Sequence, residues 1–182
     1  ERGEWRELWI VDPIDGTKEF IKRNGEFTVN IALVRDGVPV LGVIYVPVSG
    51  ELYVGTAGEG AVKAMYPADG APDAQKAMEG ATSIPVAKAD RPYTAVASRS
   101  HMSAETEEFI AELRKEHGDV ALISKGSSLK LCMVAEGKAD CYPRFAPTME
   151  WDTAAGQAVV EAAGAAVVRL EGRDALTYGK DG

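Results

Sequence analysis

The chain has 182 residues, and its composition of 46% hydrophobic and 26% charged residues is typical of a soluble globular protein with one core. The formal net charge of −8 argues against a nucleic-acid polymer as the partner, because phosphate backbones select basic surfaces. A small phosphorylated metabolite is compatible with this acidic chain, since a bound metal ion supplies local positive charge.

Two cysteines, Cys132 and Cys141, are too few for a disulfide framework and wrongly spaced for a zinc site. They predict small buried side chains in a reducing compartment. The sequence shows no signal peptide and no apolar run near the ~20 residues of a membrane span, so we expect a cytosolic protein. Because the chain starts at Glu1 and stops inside a turn after Tyr178, we also expect a fragment of a longer protein.

The first half of the chain predicts an antiparallel sheet. Residues 8–11 form an apolar run typical of a buried strand, and a turn at 35–37 separates two longer strands as in a hairpin. The predicted strands span 8–11, 27–33, 38–45, 51–54 and 60–63. Residues 65–83 contain two prolines and two glycines with little periodicity, which predicts a surface loop.

The second half predicts alternating strands and helices. The strands are expected at 94–97, 120–123, 140–143 and 166–170, and the helices at 103–117, 127–136 and 153–163. Ser103 is the predicted N-cap of the first of these helices. The whole chain therefore predicts an α/β fold (α+β layered), with an antiparallel half at 1–83, an α/β half at 84–182, and no internal repeat. We expect the two halves to form one catalytic unit.

The motif Asp12-Pro13-Ile14-Asp15-Gly16-Thr17 follows the first predicted strand directly. Two carboxylates that share a site repel each other unless a cation lies between them, and hard divalent cations prefer such oxygen ligands. A bare Asp-x-x-Asp is more often a turn or a helix cap. The strand before it and Gly16-Thr17 after it favour a metal site beside an anion site made of backbone N–H groups.

A third carboxylate, Asp152, lies near the start of the last predicted helix. Taken alone, Asp152 is equally well explained as an ordinary helix N-cap. The small residues that follow it, Ala154, Ala155 and Gly156, favour a closer approach of this helix end to another backbone. They therefore favour Asp152 as a third ligand of the metal site.

Three further loops carry residues suited to a phosphorylated ligand. Residues 126–130 (Gly-Ser-Ser-Leu-Lys) open a helix with hydroxyl and N–H groups, and Lys130 adds a positive charge. His101 and Arg144 each follow a predicted strand. Each feature also has an ordinary explanation, as a helix cap, a solvated loop histidine or a surface cation.

Taken together, the motifs resemble the inositol monophosphatase superfamily. Residues 12–17 match its first signature and residues 151–156 its second, while residues 18–32 resemble the CysQ-type 3′(2′),5′-bisphosphate nucleotidases within it. The segments 126–130, 134–137 and 142–145 are similar to that group as well. The resemblance implies the αβαβα sandwich of inositol monophosphatases and fructose-1,6-bisphosphatases, with an N-terminal part missing.

The resemblance also implies roles for individual residues. Two or three Mg²⁺ ions would be held by Asp12, Asp15, Asp152 and the Ile14 carbonyl. The catalytic residues would be Asp12, Asp15 and Thr17, with Thr17 orienting the attacking water. The substrate would be bound by Asp15, Gly16, Thr17, His101, Ser127, Lys130, Arg144 and Asp152. The family also uses an upstream Glu-Glu pair, for which Glu1, Glu4 and Glu7 are not convincing substitutes.

The expected activity is a Mg²⁺-dependent phosphatase that removes the 3′-phosphate of adenosine 3′,5′-bisphosphate, or acts on its sulfated precursor, in sulfur assimilation. The expected partner is thus a small nucleotide bisphosphate, and a homodimer is an expected assembly. An inositol monophosphatase or sugar bisphosphatase is the nearest alternative. From another class, a non-catalytic nucleotide-binding or regulatory module stays open.

Overall fold

The structure is a computed structural model that describes residues 4–66, 73–86, 90–97 and 102–180. Its larger sheet has six antiparallel strands in sequence order: β1 Glu7–Asp15, β2 Thr28–Arg35, β3 Val38–Val46, β4 Glu51–Thr56, β5 Gly60–Met65 and β6 Thr82–Ile84. A parallel pair, β7 Tyr93–Val96 and β8 Val120–Ile123, forms a second sheet. The helices are α1 Thr17–Lys22, α2 Ala74–Glu79, α3 Ala104–His117, α4 Leu129–Ala135 and α5 Glu150–Ala162.

Helix α5 packs across one face of the larger sheet, and small residues on both sides permit the close approach. A Cβ on Gly55 of β4 would lie 2.5 Å from the Cα of Val159, and a Cβ on Gly42 of β3 would collide with the carbonyl of Ala155. Gly156 similarly leaves room for Leu131 of α4. The small residues expected to bring this helix close to another backbone therefore do so.

The prediction of β1 as a buried strand is wrong, because β1 lies at one edge of the larger sheet and one of its two faces is exposed. Leu8 and Ile10 pack against the core under α5, but Trp9 and Val11 are 58% and 50% exposed. Successive side chains of a strand point to opposite faces, so only one face of β1 is covered by the described parts of the chain. The apolar run thus contributes half of its residues to the core.

Several predicted elements are confirmed. The turn at Asp36-Gly37 has positive φ at both residues (48° and 80°), which suits a tight hairpin between β2 and β3. The N-cap of α3 is Ser103, whose side chain accepts a hydrogen bond from the Thr106 N–H. Strands β7 and β8 also lie where the sequence predicts them, within one residue.

Other predictions are wrong. The predicted loop 65–83 contains α2 and β6, although its residues 67–72 lie outside the described parts of the chain. The predicted strands 140–143 and 166–170 are reduced to isolated bridges, Cys141 with Ala95 and Val168 with Ala175. None of the helices in the described residues combines the length and the apolar character needed to cross a membrane.

Candidate metal and phosphate site

A β-bulge brings the two carboxylates of the first motif to the same face of the sheet. Residues three apart in a regular strand point to opposite faces. Asp12 lies opposite Asn30 and Asp15 opposite Thr28, so β1 spans three residues where β2 spans two. The extra residue restores the alternation, and both aspartates face the side covered by α5. The Asp12–Asp15 spacing is therefore explained by the bulge.

Asp152 reaches the same place from the first turn of α5. The helix starts at Glu150 with Met149 as its N-cap, so the alternative of Asp152 as the N-cap residue is wrong. Asp152 is instead the third helical residue, and its Oδ2 accepts hydrogen bonds from Thr148 Oγ1 (2.7 Å) and Met149 N (3.1 Å). Ligand atoms of Asp12, Asp15 and Asp152 all lie within 4.8 Å of one another.

Asp15 is held by donors on two other elements. Its Oδ2 accepts hydrogen bonds from Ser128 N (2.6 Å) and Ser128 Oγ (2.8 Å), with Thr28 Oγ1 and Asn30 Nδ2 each 3.4 Å away. Asn30 Nδ2 also donates to Ser128 Oγ at 2.9 Å. All these contacts engage one carboxylate oxygen, which leaves the other for a metal ion. Thr28, Asn30 and Ser128 were not predicted as site residues.

The electrostatics of the cluster also fit a cation. Partial burial raises the pKa of Asp12, and the negative charges of Asp15 and Asp152 raise it further, against a hydrogen bond from Ile14 N that lowers it. Like charges this close favour protonation of one carboxyl unless a cation neutralises them. Three carboxylates with unengaged oxygens form a donor set that suits a hard divalent ion. The described residues can therefore hold a metal ion.

A cleft of about 380 Å³ opens beside the carboxylates. Asp15 and Asp152 form one end of its lining, which Ser127, Lys130 and Arg144 extend. The structure thus brings these five predicted residues together. Ser127 has φ of 45°, and its Oγ is buried without a hydrogen-bond partner among the described residues.

The two predicted cations of the cleft share a tyrosine. Lys130 Nζ lies 5.6 Å from the centre of the Tyr142 ring, a distance typical of a cation–π contact. Arg144 donates to Tyr142 Oη at 3.3 Å and to the Pro147 carbonyl at 3.2 Å. These contacts hold both positive charges at one wall of the cleft.

The remaining predicted residues are not part of the cleft lining within the described chain. Gly16 has φ of 88° and precedes α1. An added Cβ would lie 3.0 Å from Ser127 Cβ, so the turn at Gly16 packs on the loop that contains Ser127. Thr17 begins α1 and is exposed, and Ile14 lies at the bulge. His101 is outside the described residues.

Arg169 is a third cation of the cleft that the sequence did not reveal. It lies in the turn after α5, where its N–H donates to the Asp174 carbonyl at 2.8 Å. The segment was predicted as a strand, and no motif surrounds the arginine. Arg169 is identified as a cleft residue only by the structure, in which this turn lines the cleft.

The chain is similar to known proteins of one family. The family model described as "Inositol monophosphatase family" matches residues 1–182. The chain is 49% identical over 172 residues to "3′(2′),5′-bisphosphate nucleotidase CysQ" of Escherichia coli K12, covering 94% of this chain and 63% of that protein. The chain thus spans just under two thirds of the length of this relative.

Two solved structures are similar in three dimensions. CysQ from Bacteroides thetaiotaomicron, titled a bacterial member of the inositol monophosphatase family, is 58% identical with a TM-score of 0.90, covering 98% of this chain and 67% of that one. The inositol monophosphatase of Anabaena is 28% identical with a TM-score of 0.62, covering 88% and 59%. With the family match over residues 1–182, these similarities show that the chain belongs to the inositol monophosphatase family.

Proposed function

We propose that the protein is a Mg²⁺-dependent phosphatase that hydrolyses the 3′-phosphate of adenosine 3′,5′-bisphosphate to give AMP and inorganic phosphate. The observation that carries this proposal is the convergence of three carboxylates at the end of a cleft lined by cations. The printed names of the similar CysQ proteins support the nucleotide as substrate. A cytosolic location, a homodimer and a role in sulfur assimilation belong to the same proposal.

In this proposal Asp12, Asp15, Asp152 and the Ile14 carbonyl hold two or three Mg²⁺ ions. Such ions lower the pKa of a bound water and stabilise the attacking and leaving oxygens of an in-line displacement. The Ser128 N–H and hydroxyl fix the orientation of Asp15, and the Met149 N–H fixes that of Asp152. Pre-oriented ligands of this kind reduce the cost of assembling the site.

The reacting phosphate is assigned to the turn after β1. The N–H groups of Gly16 and Thr17 bind its oxygens, and the Thr17 hydroxyl orients the water. Attack by the water oxygen forms the new P–O bond, the bond to the 3′-oxygen breaks, and that oxygen leaves with a proton. Asp15 and Thr17 thus flank the reacting group from the end of β1 and the start of α1.

The non-reacting phosphate is assigned to the cations of the cleft. Lys130 and Arg144 are the natural partners of a second phosphate, because a charged donor forms shorter and stronger hydrogen bonds than a neutral one. Ser127, in the same lining, has a buried Oγ with no hydrogen-bond partner in the described part of the chain, which suits a donor to a bound phosphate. His101 is proposed to contact the nucleotide as well. The sulfated precursor of the substrate would place its 5′ group at the same cations.

The site draws on both halves of the chain. Asp12 and Asp15 come from residues 1–83, while Ser128 and Asp152 come from residues 84–182, and Asp15 is bonded directly to Ser128. This arrangement supports one catalytic unit made of two halves. It also predicts that neither half binds the nucleotide alone.

Substrate comparison on the full-length protein tests the proposal. We expect phosphate release from adenosine 3′,5′-bisphosphate with Mg²⁺, at a higher kcat/KM than from inositol 1-phosphate or fructose 1,6-bisphosphate. A preference for inositol phosphate would contradict the nucleotide assignment. Tight nucleotide binding by calorimetry without any phosphate release would instead favour the regulatory module.

A further inference from the structure

The loop formed by residues 125–128, here called the Gly126 loop, is held at its N-terminal end by Glu26. Glu26 Oε2 accepts a hydrogen bond from the Gly126 N–H at 2.8 Å, and Glu26 Oε1 pairs with Lys125 Nζ at 3.0 Å. Both carboxylate oxygens are thus engaged by adjacent residues of one loop. The side chains of Glu26 and Lys125 are 28% and 42% exposed, so the pair is partly shielded from water.

The backbone of Glu26 is held by a contact within its own turn. Its N–H donates to Asn24 Oδ1 at 3.0 Å, a turn contact between residues two apart. Gly126 lies flat against this region, because an added Cβ would stand 2.5 Å from Glu19 Cγ and 3.1 Å from Glu26 Cβ. The backbone of the loop therefore packs directly on Glu19 and Glu26 of the first half of the chain.

The other end of the Gly126 loop is held by Asp15, through the Ser128 N–H and hydroxyl. Two carboxylates from the first half thus clamp the loop at residues 126 and 128. Ser127 lies between the clamps with a φ of 45°, a conformation that a residue with a side chain rarely adopts unless its surroundings impose it. Ser127 and the Lys130 that follows it both line the cleft.

We infer that Glu26 is a positioning residue for substrate binding. It does not line the cleft beside the carboxylates. It fixes the loop that presents Ser127 and Lys130 to the non-reacting phosphate, while Asp15 fixes the same loop to the metal-binding carboxylates. This inference rests on the proposed function. Its consequence is that loss of Glu26 weakens binding of the second phosphate more than it slows the chemical step.

Steady-state kinetics of the full-length protein test this role with two substrates. Adenosine 3′,5′-bisphosphate carries the second phosphate, and adenosine 3′-monophosphate lacks it. We expect Glu26→Ala to raise KM for the bisphosphate by about 10-fold with kcat within about 2-fold, and to change KM for the monophosphate much less. Glu26→Gln keeps an acceptor for the Gly126 N–H, so it should recover most of the loss.

Two further variants sharpen the result. Lys125→Met removes only the ion pair and should raise KM for the bisphosphate slightly, by about 2-fold. Glu19→Gln is the matched control, because Glu19 packs on Gly126 and its side chain has no hydrogen bond within the described residues; it should leave KM unchanged. If Glu26→Ala does not fold, Glu26→Asp takes its place: it keeps the charge, but its side chain is too short to engage both the Gly126 N–H and Lys125 Nζ, so it should also raise KM for the bisphosphate.

The inference is overturned if the wild-type protein is active and Glu26→Ala, or Glu26→Asp in its place, leaves KM unchanged, lowers kcat alone, or affects both substrates equally. A wild-type protein that releases no phosphate from the bisphosphate fails the proposed function instead. The two failures are therefore distinguishable in one set of assays.

Discussion

Replacement of Asp12 by Asn should abolish activity and at the same time stabilise the metal-free protein. Asp12 shares its site with Asp15 and Asp152, and both burial and these charges raise its pKa. A carboxyl whose pKa is raised in the folded state contributes its full stability below the unfolded-state pKa. That stability is lost as the pH rises through the folded-state pKa, because the folded protein binds the proton more tightly. At neutral pH without metal, the ionised Asp12 therefore opposes folding.

The size of this effect follows from the spacing of the carboxylates. At the 4.8 Å that bounds the cluster, one pair of like charges in water costs about 0.9 kcal/mol, and Asp12 faces two such charges. Salt and the partial exposure of the cluster reduce the sum, so we expect Asp12→Asn to gain about 1 kcal/mol in a chelator. Asn keeps the side-chain oxygen that accepts from the Ile14 N–H.

Magnesium should reverse the order of stability. An ion that binds only the folded state at ten times its dissociation constant stabilises it by about 1.4 kcal/mol, and Asp12→Asn loses most of this gain. Denaturant unfolding of the full-length protein in EDTA and in Mg²⁺, from pH 4 to 8, measures both effects, with phosphate release measured in parallel. A variant that is less stable than wild type in EDTA would refute the charge argument. Equal stabilisation of both proteins by Mg²⁺, or near-wild-type turnover of the variant, would refute the metal-binding role.

Three other substitutions test separate parts of the account. Ser128→Ala removes the hydroxyl that donates to Asp15 and accepts from Asn30. It should lower the free energy of unfolding by about 1–2 kcal/mol, measured by denaturation, and weaken Mg²⁺ binding about 10-fold, measured by calorimetry. An unchanged metal affinity would contradict the positioning role of Ser128. Gly55→Ala forces a Cβ against α5 and should lower stability by about 1–3 kcal/mol, and a neutral result would show that the helix can move away. Lys130→Gln should raise KM for the bisphosphate about 10-fold with little change in kcat, and an unchanged KM would place the second phosphate elsewhere.

Local chemistry made much of the fold predictable. The β2–β3 hairpin follows from alternation and the Asp36-Gly37 turn, and α3 follows from its N-cap Ser103. The first motif was predicted as a carboxylate pair at the end of a strand, and the structure places both carboxylates on one face with Asp152. The hairpin, the N-cap and the position of the motif at a strand end depend on neighbours within a few residues, which a sequence displays directly.

The remaining features depend on partners far away in the chain. Trp9 is exposed because it lies on the face of β1 that no described element covers, and no periodicity within residues 8–11 shows which face that is. The bulge between Asp12 and Asp15 is defined by the register of β2. Glu26 and Arg169 carry no motif, and their places follow only from contacts with the Gly126 loop and from the turn after α5.

Phosphate release is proposed to require the Mg²⁺ held by the three carboxylates. Initial rates of phosphate release from adenosine 3′,5′-bisphosphate, measured against Mg²⁺ concentration for the full-length wild type and Asp152→Asn, test it most directly. The account predicts a saturable dependence on Mg²⁺ in the wild type and a loss of at least about 100-fold in the variant. Turnover that persists in EDTA, or a variant with the wild-type rate and Mg²⁺ dependence, would contradict it.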